Sequence, residues 1–329
     1  MNARWLGESL LAACASTFEG PEKKLEIILT DPQPNLCDNS DGRWHRVVAA
    51  SGAEVISSIS SAGLEAYLLS ESSLFVWPDR ILMITCGKTV LLRAVPEIVK
   101  IVGRDNVAML FYERRKLMFP SDQPADFEAD VKMLTRYFPG KSYRLGPAND
   151  DHVHLFFSSH KRIETTMDAT LQILMSDLSP VMARHFFAGN ANAAQVEKNS
   201  AIGSLYSGMR IDSHLFSPGG FSLNGICDES YYTVHVTPQK EGSYTSFETN
   251  VIEPDYSPTV AQVIDAFRPG RFSLVLTSSM EPRLNTLHRI VSGRIPGYRI
   301  LEKSYHEFDC GYAVTFFNSI KDGPQDHAT

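Results

Sequence analysis

The 329-residue chain is 43% hydrophobic and 21% charged, which is typical of a globular protein long enough to bury a substantial core. Its formal net charge of −7 argues against nucleic acid as a partner, because proteins that bind nucleic acids usually present a basic surface. Five scattered cysteines without a C-x-x-C spacing indicate neither a disulfide framework nor a zinc site, so we expect a cytoplasmic protein without bound metal.

The N-terminal segment shows little sign of export. Residues 5–16 resemble a secretory signal peptide only weakly, because Glu8 interrupts their apolar run. No apolar run reaches the roughly 20 residues that a membrane-spanning helix requires. We therefore predict no association with membranes.

Strand-like and helix-like patterns alternate through the first half of the chain. Runs of β-branched and aromatic residues predict strands at 25–29, 67–77, 80–85, 106–112 and 153–157. Apolar residues at helical spacing predict helices at 44–59, 89–102 and 125–138. Pro78 begins a turn between two of the strands, and Pro96 is expected to kink or divide the second helix.

The second half also mixes strands and helices. Residues 187–208 are rich in Ala, Asn, Ser and Gly and predict a loop or a junction between the halves. The elements predicted beyond them are strands at 231–237, 243–251, 272–277, 300–305 and 312–317, a helix at 258–267 and a frayed polar tail at 322–329. This mixture indicates an α+β fold in which helices cover one face of each sheet.

Several short blocks of sequence contain residue types that carry chemistry. They are Phe-Glu-Gly-Pro-Glu-Lys-Lys-Leu-Glu at 18–26, Leu-Ser-Glu-Ser-Ser at 69–73, Thr-Cys-Gly at 85–87, Phe-Ser-Leu-Asn-Gly at 221–225, Val-His-Val-Thr-Pro at 234–238 and Ser-Phe-Glu-Thr-Asn at 246–250. Each block alone says little, since a lone cysteine or histidine is usually a buried structural residue. Together, and in this order, they resemble the eukaryotic-type S-adenosylmethionine decarboxylases, which are pyruvoyl-dependent proenzymes.

The resemblance extends from Phe18 to about Phe272 and therefore covers most of the chain. It implies a four-layer αβ-βα sandwich of two similar halves that form a single domain over residues 1–329. The implied substrate is S-adenosylmethionine, and its decarboxylated product is the aminopropyl donor for spermidine and spermine biosynthesis.

The resemblance implies a covalent cofactor made from the chain itself. Decarboxylation of an amino acid needs a carbonyl that forms a Schiff base with the substrate amine, and no Gly-rich phosphate loop here favours pyridoxal phosphate. In the family, the Ser72 hydroxyl attacks the Glu71 carbonyl, and ester formation, elimination and hydrolysis convert Ser72 into a pyruvoyl group. The chain is thereby divided into residues 1–71 and 72–329, which remain associated. The reaction requires a strained or polarised peptide and nearby proton carriers.

The resemblance assigns roles in catalysis and processing to other residues. Cys86 is the expected donor that returns a proton to the substrate α-carbon. Ser222 and His235 are expected to assist self-cleavage, with His235 as the base, since histidine exchanges protons near neutral pH. Glu19 and Glu22 match acidic active-site positions.

Substrate binding is implied at five positions. Phe18 and Phe216 are expected to stack on the two faces of the adenine ring. Leu69 and Glu71 are expected to contact adenine through backbone groups. Gln239 stands where the family usually has a glutamate that binds the ribose hydroxyls, and an amide still accepts one hydrogen bond and donates another.

Animal members of the family bind putrescine among buried acidic residues, and this chain retains part of that cluster. The retained positions are Glu26, Asp168, Thr170 and Glu248. Gln172 and Ile84 replace residues usual in the cluster, whereas Lys24 matches a basic position of plant members, which need no putrescine. A built-in cation offsets carboxylates that would otherwise be buried and unpaired. We therefore expect activity that is largely independent of putrescine.

The sequence leaves two other functions open. One is a pyruvoyl-dependent decarboxylase of another amino acid, such as ornithine or arginine, which Gln239 favours and the aromatic pair Phe18 and Phe216 disfavours. The other is an inactive paralogue that binds and activates a catalytic partner, which the retention of Ser72 and Cys86 disfavours. The oligomeric state is also open, because family members occur as monomers and as dimers of cleaved protomers.

Overall fold

The computed structural model describes residues 18–160, 167–189, 192–291, 293 and 295–323. The signal-peptide-like segment 5–16 and most of the predicted tail, residues 324–329, lie outside the described residues. The described chain forms two sheets of eight strands each.

The first half of the chain supplies one sheet and the second half supplies the other. The strands of the first sheet are β1 (Lys23–Leu29), β2 (Val55–Ser61), β3 (Leu64–Leu69), β4 (Ser72–Val76), β5 (Arg80–Thr85), β6 (Val107–Arg115), β7 (Lys141–Leu145) and β8 (Val153–Ser159). Those of the second sheet are β9 (Ala169–Ser176), β10 (Arg210–Leu215), β11 (Phe221–Cys227), β12 (Ser230–Thr237), β13 (Tyr244–Thr249), β14 (Arg271–Ser279), β15 (Tyr298–Glu307) and β16 (Tyr312–Lys321).

The two sheets have the same topology. Their spatial orders are β2-β3-β4-β5-β1-β6-β8-β7 and β10-β11-β12-β13-β9-β14-β16-β15. Counted from the first strand of each half, these orders are identical, and neighbouring strands are antiparallel. The prediction of two similar halves is therefore confirmed.

Helices lie in both halves. The α-helices are α1 (Arg43–Ser51), α2 (Val95–Val102), α3 (Phe127–Leu134), α4 (Pro180–Ala183), α5 (Ala193–Ser200), α6 (Ser257–Phe267) and α7 (Leu287–Ile290). Short 3₁₀ segments are Leu91–Ala94, Arg104–Asn106, Pro120–Asp122, Arg184–Phe186 and Ile202–Ser204. As predicted, the helical region near Pro96 is divided, because a 3₁₀ turn precedes α2 and the proline lies in the first turn of α2, where its missing N–H costs nothing.

Strand β1 shows how the layers are built. Side chains alternate between the faces of a strand, so Leu25 and Ile27 share one face and pack in a core with Trp44 of α1. Ile28 points the other way and packs with Leu174 and with other apolar residues of the second sheet. Each sheet therefore has helices on its outer face and the other sheet on its inner face, and the αβ-βα sandwich is confirmed.

The predicted helix at 44–59 is wrong beyond Ser51. Gly52 ends α1 in the left-handed region at φ +89°, a conformation that glycine adopts without a steric penalty. The following residues form β2, whose burial alternates along the strand. That period-two pattern, with β-branched Val55 and a run of serines, is the strand signal that the helical spacing concealed.

Two further predictions need correction. The predicted strand at 67–77 is interrupted by a turn at Ser70 and Glu71, and β3 and β4 form a hairpin around that turn. The predicted loop at 187–208 contains α5, because Asn192 and Gln195 form a reciprocal capping box. Two of the polar residues that suggested a loop there cap a helix, and the predicted junction at 187–208 is wrong, because the chain passes from the first sheet to the second between β8 and β9.

Candidate active site

The predicted cleavage site lies at the turn of the β3–β4 hairpin. Ser72 is the first residue of β4 and pairs across the hairpin with Leu69. Its φ is +122°, and such a conformation in a residue other than glycine stores strain of about 1–3 kcal/mol. Ser72 is also buried. The peptide that the sequence predicts to be cleaved therefore carries backbone strain.

The carbonyl group of Glu71 is polarised by the end of the neighbouring strand β5. The backbone N–H of Cys86 donates a hydrogen bond to the Glu71 carbonyl oxygen over 3.1 Å. The Cys86 thiol lies 3.7 Å from the same oxygen, and the Ser72 hydroxyl donates to Cys86 Sγ over 3.5 Å. A backbone donor at this oxygen stabilises the negative charge that develops when a nucleophile attacks the carbonyl carbon.

Cys86 is held as a protonated thiol. Burial and the nearby Glu71 carboxylate raise the pKa of Cys86 well above its ordinary value. Gly87 permits this arrangement, since its φ is +62° and an added Cβ would meet the Glu71 carboxylate at 2.7 Å. A protonated, buried thiol is the state that a proton donor requires.

Lys23 is a residue whose contact with this site the sequence did not reveal. Its ammonium group donates to the Gly87 carbonyl over 2.9 Å and so supports the turn that carries Cys86. Burial lowers the pKa of Lys23 to about 8. The residue lies in the 18–26 block, but its distance to Cys86 depends on the pairing of β1 with β5.

Ser222 and His235 face each other across two strands of the second sheet. They are paired in the register of β11 with β12, and the Ser222 hydroxyl lies 3.1 Å from Nδ1 of His235. Burial lowers the pKa of His235 to about 3, so the imidazole is neutral at physiological pH. A neutral imidazole is able to accept a proton.

Most of the predicted catalytic and substrate-binding residues line one cavity of about 310 Å³. It lies between the two sheets, since Ser72 and Cys86 come from the first half and Ser222 and His235 from the second. The other predicted residues that line it are Phe18, Glu71, Phe216 and Gln239. The side-chain carbonyl of Gln239 accepts from the backbone N–H of Phe18 over 3.3 Å. Tyr244 also lines the cavity and was not predicted.

Among the predicted catalytic and substrate-binding residues, Leu69, Glu19 and Glu22 do not line this cavity. The Leu69 side chain is fully buried in the core beneath the first sheet. The carboxylate of Glu19 accepts from the backbone N–H groups of Met118 and Phe119, each over 2.8 Å, and thereby anchors the loop after β6. The Leu69 backbone is paired with Ser72 across the hairpin, so its predicted backbone contact with adenine stays a prediction, as does an active-site role for Glu19.

Glu22 faces the space between the sheets. The hydroxyl of Ser246 donates to its carboxyl group over 2.6 Å. Burial raises the pKa of Glu22 to about 8, the Ser246 hydrogen bond opposes that shift, and the charge of Glu248 adds to it. Glu22 is therefore mostly protonated at neutral pH and lies beside a charged cluster that includes Glu248.

This charged cluster contains its own cations. Arg80 lies 3.1 Å from Glu26 and 2.7 Å from Asp168, and Lys24 lies 3.0 Å from Glu248. The Arg80–Asp168 and Lys24–Glu248 pairs each join residues from the two halves of the chain. The carboxylates predicted in this region are therefore neutralised by side chains of the protein.

The rest of the cluster leaves little room for a ligand. Thr170 is buried on β9, and the Gln172 amide donates to Glu113 over 2.9 Å. Glu113 was not predicted in this cluster. The cavity bounded by Lys24, Glu113, Gln172 and neighbouring side chains has a volume of about 20 Å³. That volume holds about one water molecule.

The described part of the chain contains no group of three or more side chains arranged to bind a metal ion. Nor does any helix in that part have the length and apolar character that spanning a membrane requires.

The family is shown by comparison with known proteins. The model of the family described as adenosylmethionine decarboxylase matches residues 15–319. The chain belongs to the adenosylmethionine decarboxylase family. The S-adenosylmethionine decarboxylase proenzyme of Dictyostelium discoideum is 34% identical over a 323-residue alignment that covers 92% of this chain and 85% of that protein. The proenzyme of Xenopus laevis is 32% identical over 327 residues, covering 94% of this chain and 97% of that protein.

A solved structure of an adenosylmethionine decarboxylase supports the same family membership. The crystal structure of the Trypanosoma brucei AdoMetDC-delta26 monomer superposes with a TM-score of 0.62 at 25% sequence identity. The match covers 76% of this chain and 99% of that one. The shared architecture is thus that of a decarboxylase from this family.

Proposed function

We propose that this protein is a pyruvoyl-dependent S-adenosylmethionine decarboxylase that matures by cutting its own chain between Glu71 and Ser72. Its product, decarboxylated S-adenosylmethionine, is the aminopropyl donor for spermidine and spermine synthesis. The observation that carries the proposal is the strained, polarised Glu71-Ser72 peptide, which shares one cavity with Cys86, Ser222 and His235. Family membership supports the same activity.

Self-cleavage follows from this arrangement. The Ser72 hydroxyl attacks the Glu71 carbonyl carbon, its proton passes to the amide nitrogen, and the C–N bond breaks to leave an ester. A base then removes the Ser72 α-proton, the Cα–Cβ double bond forms, and the ester C–O bond breaks to release the Glu71 carboxylate. Hydrolysis of the dehydroalanine releases ammonia. The Cys86 N–H stabilises the first step by its hydrogen bond to the Glu71 oxygen.

The residues around Ser72 fit the resulting cofactor. A pyruvoyl group supplies a carbonyl electron sink for decarboxylation. Cys86, already 3.5 Å from the Ser72 hydroxyl, is the nearby donor of a proton to the substrate α-carbon. Phe18 and Phe216 provide aromatic faces for adenine, and a sulfonium cation beside such faces gains about 0.5–2 kcal/mol. A cavity near 300 Å³ lies within the usual range for small-molecule sites.

The two chains are expected to stay together after cleavage. The segment 1–71 contributes β1, β2 and β3, and the segment 72–329 contributes the rest of the first sheet. Strand β1 lies between β5 and β6 and is hydrogen-bonded to both. Separating the chains would therefore break the centre of a sheet. We propose one associated unit that acts in the cytoplasm on a small molecule.

The aromatic residues of the cavity favour S-adenosylmethionine over the alternative substrates. Ornithine and arginine are linear and give Phe18 and Phe216 nothing to stack on. An inactive paralogue would need neither a strained Ser72 nor a buried thiol beside it.

The first experiment is the intact mass of the purified protein under denaturing conditions. We expect two fragments, residues 1–71 and 72–329, with a pyruvoyl group at the start of the larger one. Release of labelled carbon dioxide from S-adenosylmethionine, and not from ornithine or arginine, is expected in the same sample. A single full-length chain without decarboxylase activity would favour the inactive paralogue.

Putrescine is expected to change turnover and cleavage less than about twofold, because Lys24 and Arg80 already neutralise the cluster. Lys24→Met, which keeps the length of the side chain but removes its charge, leaves Glu248 without this partner and is expected to create a putrescine response. Cleavage and carbon dioxide release are measured with and without putrescine for both proteins. A several-fold stimulation of the unmodified protein would contradict the expectation.

A further inference from the structure

A hydrogen-bond network lies behind His235, on the side away from Ser222. Thr233 Oγ1 is 2.9 Å from His235 Nε2, 2.9 Å from Asn224 Oδ1 and 3.0 Å from the Leu223 carbonyl oxygen. Ser73 donates to the same Asn224 oxygen over 2.7 Å. All of these polar side chains are buried, so their hydrogen bonds are not exchanged freely for bonds to bulk water.

The backbone fixes the orientation of the Asn224 side chain. Its amide nitrogen lies 3.2 Å from the carbonyl oxygen of Tyr67, which only accepts hydrogen bonds. The amide NH₂ must therefore face Tyr67, and Oδ1 must face Ser73 and Thr233. Both hydroxyl groups consequently have a pure acceptor beside them.

The hydroxyl of Thr233 has one hydrogen and two carbonyl-type oxygens within 3.0 Å. Donating that hydrogen to His235 would leave both oxygens facing lone pairs of the hydroxyl, which is repulsive. Thr233 must therefore donate to one of the oxygens and accept a hydrogen bond from Nε2–H of His235. The Ser73 hydroxyl, 3.5 Å from Nε2, donates its hydrogen to Asn224 and is therefore not a donor to Nε2, which supports the same assignment.

We propose that Thr233 is a positioning residue that holds His235 as the Nε2–H tautomer, so that the lone pair lies on Nδ1 and faces Ser222. This inference rests on the proposed self-cleavage. Nδ1 is then the atom that takes the Ser72 α-proton as the Cα–Cβ double bond forms and the ester C–O bond breaks. The opposite tautomer would present a proton to Ser222 and carry no base on that face.

Two substitutions of Thr233 distinguish the effect of its hydroxyl group from the effect of its side-chain shape. Thr233→Val keeps the volume and removes the acceptor, and we expect self-cleavage to slow by about tenfold or more, since a positioned base contributes about 10²–10⁴. Thr233→Ser restores the hydroxyl and is expected to recover cleavage to within about threefold of the unmodified rate. Conversion of newly translated full-length chain into fragments, followed over time from pH 6 to 9, gives the rates.

Thr245→Val is the matched control. Thr245 is fully buried on the adjacent strand β13, and its hydroxyl has no hydrogen-bond partner among the described residues. Replacing this hydroxyl group with a methyl group makes the same chemical change on the same sheet, and we expect it to leave the cleavage rate unchanged. Equal slowing in Thr233→Val and Thr245→Val, or no rescue by Thr233→Ser, would show a structural role and overturn the proposal.

The tautomer of His235 is determined from the NMR chemical shifts of the imidazole nitrogens in the uncleavable Ser72→Ala chain. The signals of His235 are identified as those that disappear when His235→Ala is added. In the Ser72→Ala chain we expect a protonated Nε2 and an unprotonated Nδ1. In the double variant that also carries Thr233→Val, we expect the tautomer population to shift toward Nδ1–H. A protonated Nδ1 in the Ser72→Ala chain alone would overturn the proposal. Because this measurement needs no cleavage, it tests the tautomer even if the proposed self-cleavage fails.

Discussion

Ser72→Ala is expected to yield one uncleaved chain with no detectable decarboxylation. Alanine lacks the hydroxyl that attacks the Glu71 carbonyl, so neither the ester nor the pyruvoyl group forms. The backbone at this position, with φ +122°, stays as strained for alanine as for serine, so strain without a nucleophile is insufficient. Intact mass and release of labelled carbon dioxide measure both consequences in one preparation.

The control for this substitution is Ser60→Ala, which removes an exposed serine hydroxyl on the edge strand β2. We expect that variant to be cleaved and active like the unmodified protein. Circular dichroism of Ser72→Ala should match the unmodified chain, because the substitution removes a single oxygen atom at a position that keeps its strand pairing. A cleaved or active Ser72→Ala protein would reject Ser72 as the precursor of the cofactor.

The residues of the active-site cavity are those that the sequence identifies best. Ser72, Cys86, Ser222 and His235 lie far apart along the chain, yet they line the same cavity. The sequence alone identifies them because their side chains perform chemistry that few other residue types perform, and because each lies in a short block that resembles the family. A block shows which residue is present but not how far apart two strands place their side chains.

Supporting residues escape prediction for that reason. Thr233 and Asn224 are ordinary strand residues until the register of β11 and β12 places them opposite each other. Lys23 reads as one of two adjacent lysines, and only the pairing of β1 with β5 brings it to the turn that carries Cys86. Glu19 shows another limit of such a block, since the acidic residue type does not reveal that its carboxylate accepts hydrogen bonds from two backbone N–H groups of a loop.

The fold shows a similar division. The helix at 258–267 was predicted closely, because a serine and a proline mark its start and its apolar residues repeat at helical spacing. Strand β9 was not predicted, although it is central in the second sheet. Its first five residues alternate apolar and polar types, but all eight residues of the strand are buried, so the polar positions do not mark a solvent-exposed face. Burial on both faces becomes visible only when the neighbouring layers are known.

Cys86→Ala is expected to separate self-cleavage from catalysis. The bond that polarises the Glu71 carbonyl comes from the backbone N–H of residue 86, which alanine retains, so cleavage should continue at a moderately reduced rate. Turnover should fall by about 10²–10⁴, the usual contribution of a positioned proton donor. Intact mass measures the first effect and carbon dioxide release the second. Cys227→Ala, which alters an exposed cysteine, is the control and should preserve both.

The pH dependence of turnover tests the state of the same thiol. An ordinary cysteine loses its proton near pH 8.5, whereas burial and Glu71 raise the pKa of Cys86. Because the protonated form is the donor, activity that depends on it is lost only as the pH rises through this raised pKa. Turnover should therefore persist above about pH 8.5 in the unmodified protein. Normal turnover by Cys86→Ala, or loss of unmodified activity at the pKa of a free thiol, would show that Cys86 is not the buried proton donor described by this geometry.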